Sequence, residues 1–372
     1  MHEPAASAPP ATPATTAARP PSLRVVNEGL SAGGTAGILG AIVGLVVSYV
    51  RPDLPLSGTG SFGEISALAA GVVAAASTTV GYWRSRNSPG QEWRLSLPSW
   101  KFTVNAIAVV IVHTILAVLA TIAGYFVLGQ GFIGLTMNPF WSTVLMAVNL
   151  GLAAHFTYVS ASRMTTQRMS SLLMAFMLIG ALTAMVTTPD PEWWKFHFSQ
   201  LGSFEGTVST WVFNGTLIAG GLLVTAFAVY VAHDMHALVD RGILERANSP
   251  RIVSSVFVAM GILLAGVGLV PVDVNLLIHN LSATGMAIVF VGLLISAPRV
   301  LRGMPRSFFL VTWGFLAAVV LSVALFITTF FGLTAFEIIV FALVFAWIAV
   351  FIRFLGLAAQ EATAPVKEPQ TA

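Results

Sequence analysis

Hydrophobic residues come in long, nearly uninterrupted blocks separated by short polar punctuation, not in the two-residue alternation of a half-buried strand. Ten of these blocks are long enough to cross a hydrocarbon layer of roughly 30 Å, which takes about 20 apolar residues in a helix. They fall at about 30–50, 63–83, 104–128, 140–161, 168–188, 208–232, 252–270, 275–297, 308–330 and 335–356. The pattern predicts an all-α fold, a polytopic integral membrane bundle of ten transmembrane helices. The residues ahead of the first block are mostly Ala, Pro, Ser and Thr and cannot bury a core, so 1–25 reads as a disordered tail, and 357–372 as a second. The first apolar block starts too far from the N-terminus, and without a basic segment directly ahead of it, to be a cleavable signal.

Composition agrees. The chain is 56% hydrophobic and 9% charged, with a mean hydropathy of +0.85, against roughly a quarter charged residues in soluble domains. The absence of cysteine excludes disulfides, thiolate metal sites and cysteine nucleophiles. The net charge of +3 is small and unevenly placed, so it speaks to orientation and not to nucleic acid. With the N-terminus inside, 16 of the 18 Lys and Arg residues fall in cytoplasmic segments and only Arg51 and Lys195 lie outside. Basic residues are retained on the cytoplasmic side, so both termini are expected there, in a bacterial inner membrane. Arg163–Arg168 is a short inner connection that divides a four-helix region, 26–166, from a six-helix unit, 167–356.

Polar residues inside the apolar blocks are the candidates for chemistry. Gly33 with Gly37, and Gly40 with Gly44, have the spacing that lets helices approach closely. Ser61 with Glu64, and Thr334 with Glu337, have the spacing of a capping box, which makes both acids helix-start residues. His113 and His155 lie ~13 and ~10 Å from the inner edge at 1.5 Å per residue and can face each other, either as a proton relay in a transporter or as two separately satisfied imidazoles. His233 and His236 suggest metal by composition, but two histidines without a third ligand fit solvated polarity better.

The richest polarity lies in the outer stretch Pro189–Asn214, which a second stretch, Val270–Asn280, is placed to meet. With Thr207 or Ser209 capping the sixth helix, Asn214 is ~8–10 Å deep; with Asp273 capping the eighth, His279 is ~9 Å deep, with Asn275 on its face. Asn214, Asn275, His279, Asn280, Trp193 and Trp194 are therefore the expected ligand-binding groups, the two tryptophans also holding the loop at the headgroup level. His197, Ser199, Asp273 and His279 are the catalytic candidates. Ser199 with a histidine base would support acyl transfer, and His197, Asp273 and His279 around zinc would support hydrolysis. No cofactor is expected unless that zinc is bound. No Gly-x-Ser-x-Gly, His-Glu-x-x-His or phosphate-binding loop occurs. Alternatively Asp273 only caps a helix, and Asn214, Ser199 and His279 only bond across helices.

The ordered pieces HFSQLGS, VFNGTLIAGGLL, GVGLVPVD and IHNLSATGM resemble the bacterial and archaeal membrane family catalogued as domain of unknown function 998, over about residues 169–356. The resemblance implies a six-helix membrane unit and leaves the first four helices, and the activity, open. A more distant likeness of hairpin plan, to eukaryotic Golgi glycolipid-anchor remodellers and autophagy-linked membrane proteins, implies lipid biology. The sequence is thus read as a protein binding a lipid or amphipathic ligand at an outward-facing polar pocket, and not as an enzyme by preference. A membrane-embedded hydrolase or acyl-transfer enzyme, a structural component of the cell envelope and a proton-linked transporter are the alternatives. The expected partners are membrane lipids and envelope proteins, with no nucleic acid.

Overall fold

The computed structural model describes residues 21–203 and 206–361. The tails expected at 1–20 and 362–372 lie outside the described residues. The helices are α1 (Pro21–Val50), α2 (Phe62–Ser85), α3 (Ser99–Gly131), α4 (Pro139–Ser162), α5 (Thr166–Thr187), α6 (Val208–Asp240), α7 (Ser249–Leu269), α8 (Leu276–Val300), α9 (Arg306–Ile327) and α10 (Leu333–Glu361). All ten are long and apolar enough to span a membrane. Among the described residues there is no strand, only one isolated bridge between Pro55 and Thr136. Residues 21–25, expected in the tail, open α1, and 357–361 close α10.

Alternation puts the start of α1 and the finish of α10 at one end of the bundle. Among the described basic residues only Arg51 and Lys195 lie at the other end, which is called the far end below, as against the basic end. Helix starts follow local chemistry. Ser61, Asn138, Thr165, Thr207 and Asn275 each accept an N–H of the first turn with a side-chain oxygen. The first predicted capping box closes almost as expected: Ser61 Oγ accepts from the Glu64 amide at 3.3 Å, and Glu64 Oε2 accepts at 2.7 Å from Gly60, one residue before the cap.

In the first half, α1 packs along α4, and α2 packs on α4 and α3. The glycine spacing in α1 is the cause of its close seam with α4. A Cβ at Gly40 would lie 2.6 Å from the Met146 carbonyl oxygen, and one at Gly33 would lie 3.0 Å from that of Gly151. Lipid offers no hydrophobic drive for association, so such backbone contact is what holds α1 in place. In the second half α6 is central, flanked by α5, α7 and α10, with α8 outside α7 and α9 packed against α10 and α8. Its core is aromatic, with Trp347 stacked on Phe351 at 5.2 Å and Trp347 Nε1 donating to Thr312 Oγ1 at 3.2 Å.

The halves meet where α3 crosses α6. Tyr82 and Tyr230 share a hydrogen bond at 2.8 Å, Trp93 stacks on His233 at 4.2 Å, and Arg94 donates to Ser85 Oγ at 2.8 Å while covering the Tyr82 ring. His233 is therefore engaged with an indole, and His236 is exposed.

His113 and His155 do not form the pair considered above. His113 bonds the Val109 carbonyl at 2.8 Å and Ser160 Oγ at 2.9 Å. His155 lies instead against Gly29 and Gly33 of α1. On a 3.6-residue turn, positions 155 and 160 fall on different faces of α4, so each imidazole is directed to a different neighbour.

Candidate functional site

At the far end the chain between α5 and α6 makes a short 3-10 turn, Phe198–Gly202, which is the hub of the polar residues singled out above. Its seat is apolar: Phe198 is buried edge-on against Phe213 at 5.1 Å and Phe341 at 5.9 Å, with Trp193 beside it, and Leu201 is fully buried. Four polar side chains then fasten its backbone and its serine. Ser199 Oγ lies 3.0 Å from His279 Nε2. Asn214 Nδ2 donates to the Gly202 carbonyl at 2.9 Å, and Ser209 Oγ to the Leu201 carbonyl at 3.0 Å. Glu337 Oε2 accepts the Phe198 amide at 2.5 Å, and the Ser199 amide bonds the same carboxylate.

The Ser-x-Leu-Gly spacing now has a local cause. Ser199 meets the histidine, Leu201 enters the core, and any Cβ at Gly202 would come to 2.9 Å from the Phe213 ring and collide with the Asn214 amide. Asn214 and His279 thus converge on one turn, at Gly202 and at Ser199, instead of on one another.

Three expectations are corrected. Asp273 does not cap α8. It is exposed, and Asn275 Oδ1 accepts the Ile278 amide at 3.0 Å, so α8 starts at Leu276 and His279 stands in its first turn. Glu337 is not a capping-box acid, because α10 already begins at Leu333 and its carboxylate reaches across to the turn. Third, His197, Asp273 and His279 form no metal site: among the described residues no three His, Asp or Glu side chains are grouped to hold an ion. The remaining residues lie at the rim. Asn280 is exposed, and so is Trp194, which Lys195 covers at 5.7 Å while pairing with Glu192. His197 is half-buried in the loop, and burial, then the neighbouring His279, hold its pKa below the ordinary value.

Ser199 and His279 have the geometry of a dyad. His279 Nδ1 lies 2.9 Å from the Val270 carbonyl, which only accepts, so Nδ1 carries the proton and Nε2 is left to accept from the Ser199 hydroxyl. An oxyanion hole, however, needs free N–H donors, and the two amides beside Ser199 are spent on Glu337. The arrangement therefore clasps the loop onto α6, α8 and α10.

A second arrangement, which sequence reasoning missed, lies toward the basic end. Because α1 and α2 both lean on α4, a groove of about 660 Å³ stands open between them. Ala32, Ala36 and Leu39 form one wall, interspersed with Ser31 and Thr35, and Val73, Ala76 and Val80 the other, with Ser77 among them and Tyr158 of α4 between the two. The groove reaches Glu28 and Arg84, which also line an adjoining cavity of about 160 Å³ with Arg24, Ser85, Ser88 and Ser162. Glu28 organises this end: Tyr158 donates to Oε2 at 2.7 Å, Arg24 Nε to Oε1 at 3.0 Å, and Arg84 stands 3.6 Å from the same oxygen. The available signal was an acid near the start of the first apolar block with Arg24 four residues before it.

Residues 171–353 match the model of a family described as a protein of unknown function, DUF998. The six-helix region is a DUF998 domain. The DUF998 match begins within α5 and ends within α10, so it contains every partner of the far-end clasp and leaves the groove outside it. No curated protein and no solved structure matches the chain.

Proposed function

We propose that this protein binds a lipid-class amphipathic ligand from within the bilayer, in the groove between α1 and α2. The observation that carries the reading is the polarity of that groove: largely apolar walls on two spanning helices, broken only by small hydroxyls, ending in Arg84, a carboxylate and a tyrosine hydroxyl, with Arg24 in the adjoining cavity. Its volume lies in the range of roughly 300–1,000 Å³ common for small-molecule sites. The cluster first expected to hold this ligand, around Asn214 and His279, has its donors and acceptors engaged with the loop, so the groove is the better seat. In the orientation favoured by the basic residues, a bacterial inner membrane protein with both ends cytoplasmic, the polar end of the groove lies in the inner leaflet and the clasp lies outside.

The test is photocrosslinking in cells from benzoylphenylalanine placed at Ala76, on the groove wall, and at Val72, which is 72% exposed and does not line the groove. The Ala76 position should capture a narrow set of lipids, and Val72 the bulk membrane mixture. Identical adducts at both positions would remove the reading.

The Ser199–His279 contact favours a second reading, acyl transfer with Ser199 as nucleophile. It requires Glu337 to release the amides beside Ser199. A fluorophosphonate probe should then label the wild type and not Ser199→Ala, and an unlabelled wild type would dismiss it.

A further inference from the structure

We infer that the ligand of this groove is a phospholipid, with its phosphate between Arg24 and Arg84 and an acyl chain along the groove. The inference rests on the reading of the groove as an amphiphile site and adds the class of head group. It starts from a charge count. Arg24 and Arg84 share the single carboxylate of Glu28, whose second oxygen is taken by Tyr158. Each guanidinium has five N–H donors in a rigid fork. The pairing engages one nitrogen of each, Arg24 Nε and an Arg84 Nη, and the two side chains remain 68% and 56% exposed. Two forks are thus presented at the cavity mouth with one positive charge in excess, which suits a group that accepts bidentately and carries a single negative charge, as a phosphodiester does.

A second observation points the same way. Arg94 is 1% exposed and donates from Nη2 to Ser85 Oγ, the hydroxyl on the cavity wall, while its Nε and Nη1 have no hydrogen-bond partner. Among the described residues no carboxylate pairs with it. A buried cation without a counter-charge is costly, and an anion on the other side of Ser85 would lower that cost. Arg94 lies behind the cavity wall, over the Tyr82 ring, and adds a third guanidinium to the one carboxylate that lines the cavity. A sugar or a bare diacylglycerol offers nothing to that excess. Free phosphate would satisfy the arginines and leave the largely apolar groove wet, so the adjoining walls select the lipid-borne form.

Native mass spectrometry of the full chain in non-ionic detergent tests this with dioctanoyl phosphatidylglycerol, dioctanoylglycerol and inorganic phosphate. The wild type should bind the phospholipid at least tenfold more tightly than the diacylglycerol, and millimolar phosphate should not displace it. Arg24→Gln with Arg84→Gln should abolish that preference while the diacylglycerol still binds, which also reports that the variant is folded. Ala76→Trp, at an exposed position on the groove wall, should weaken both lipids. Equal binding of the two lipids by the wild type, lost in Ala76→Trp, would overturn the phosphate assignment and leave the amphiphile site standing. Binding of either lipid unaffected by Ala76→Trp would overturn both. Displacement by inorganic phosphate alone would make this an anion site and overturn the lipid assignment, as would a wild type that binds neither lipid.

Discussion

Glu337 shows how a single side chain can decide the shape of a loop. Its carboxylate accepts the amides of Phe198 and Ser199, which helix geometry leaves unpaired at the start of the turn. A buried N–H without a partner costs about 1–3 kcal/mol. Glu337→Leu is expected to destabilise by about that amount for each amide it orphans, and Glu337→Gln by less, since an amide oxygen still accepts. Thermal unfolding in detergent checks the order, and a wild-type midpoint for the leucine variant would mean the turn is held otherwise. His197 gives a pH dependence. Its pKa is held below the ordinary 6.5 by burial and by His279, so on acidification the unfolded chain takes up the proton before the folded one does. The contribution of His197 to stability should therefore be full above about pH 6.5 and fall as the pH drops below it, flattening once the folded value is passed. His197→Gln should remove that contribution to the slope, and an unchanged slope would assign it elsewhere. At this scale the sequence was partly legible. The isolated polar residues Asn214, Ser199 and His279 stood out because an apolar helix gives them no other reason to be there. Asp273 and Glu337 were misread because capping spacing is local, and only tertiary placement shows whether a helix begins three residues earlier or later.

Between elements, the α1–α4 seam depends on the absence of side chains. Gly40→Leu drives a side chain into the Met146 carbonyl, whereas Gly34 has nothing within 4 Å of an added Cβ. Overpacking costs about 1–3 kcal/mol, and more where backbone must move. Gly40→Leu should lower the thermal midpoint and loosen α1, detected as faster protease cleavage near Val50, while Gly34→Leu should behave as wild type. Equal behaviour of the two would contradict the seam. The same packing opens the groove, since α1 held by α4 stands away from α2. The helices themselves were readable because hydrocarbon leaves a spanning backbone no partner but its own helix. The groove was not, because nothing in a one-dimensional pattern says which two helices fail to touch. His113 and His155 carry the same lesson, since similar depth placed them together and helix rotation separated them.

For the whole molecule the orientation and the ligand remain joined. Reporter fusions after residues 95, 245 and 365 should report the cytoplasm, and one after 200 the outside. An outside signal at 245 would invert the bundle and move the groove's charged end to the other leaflet. The DUF998 domain supplies the clasp and the central α6, and the four helices before it supply the groove, with Tyr82 and Tyr230 joining the two. On the function proposed above, the first four helices are the ligand-bearing part. Electron cryomicroscopy of the full chain in phospholipid nanodiscs tests this most directly. An elongated density running from Leu39 to Arg84, stronger than that of lipid on the outer faces of α2 and α9, is the predicted result. Closure of α1 onto α2, or density no stronger than on those faces, would contradict it.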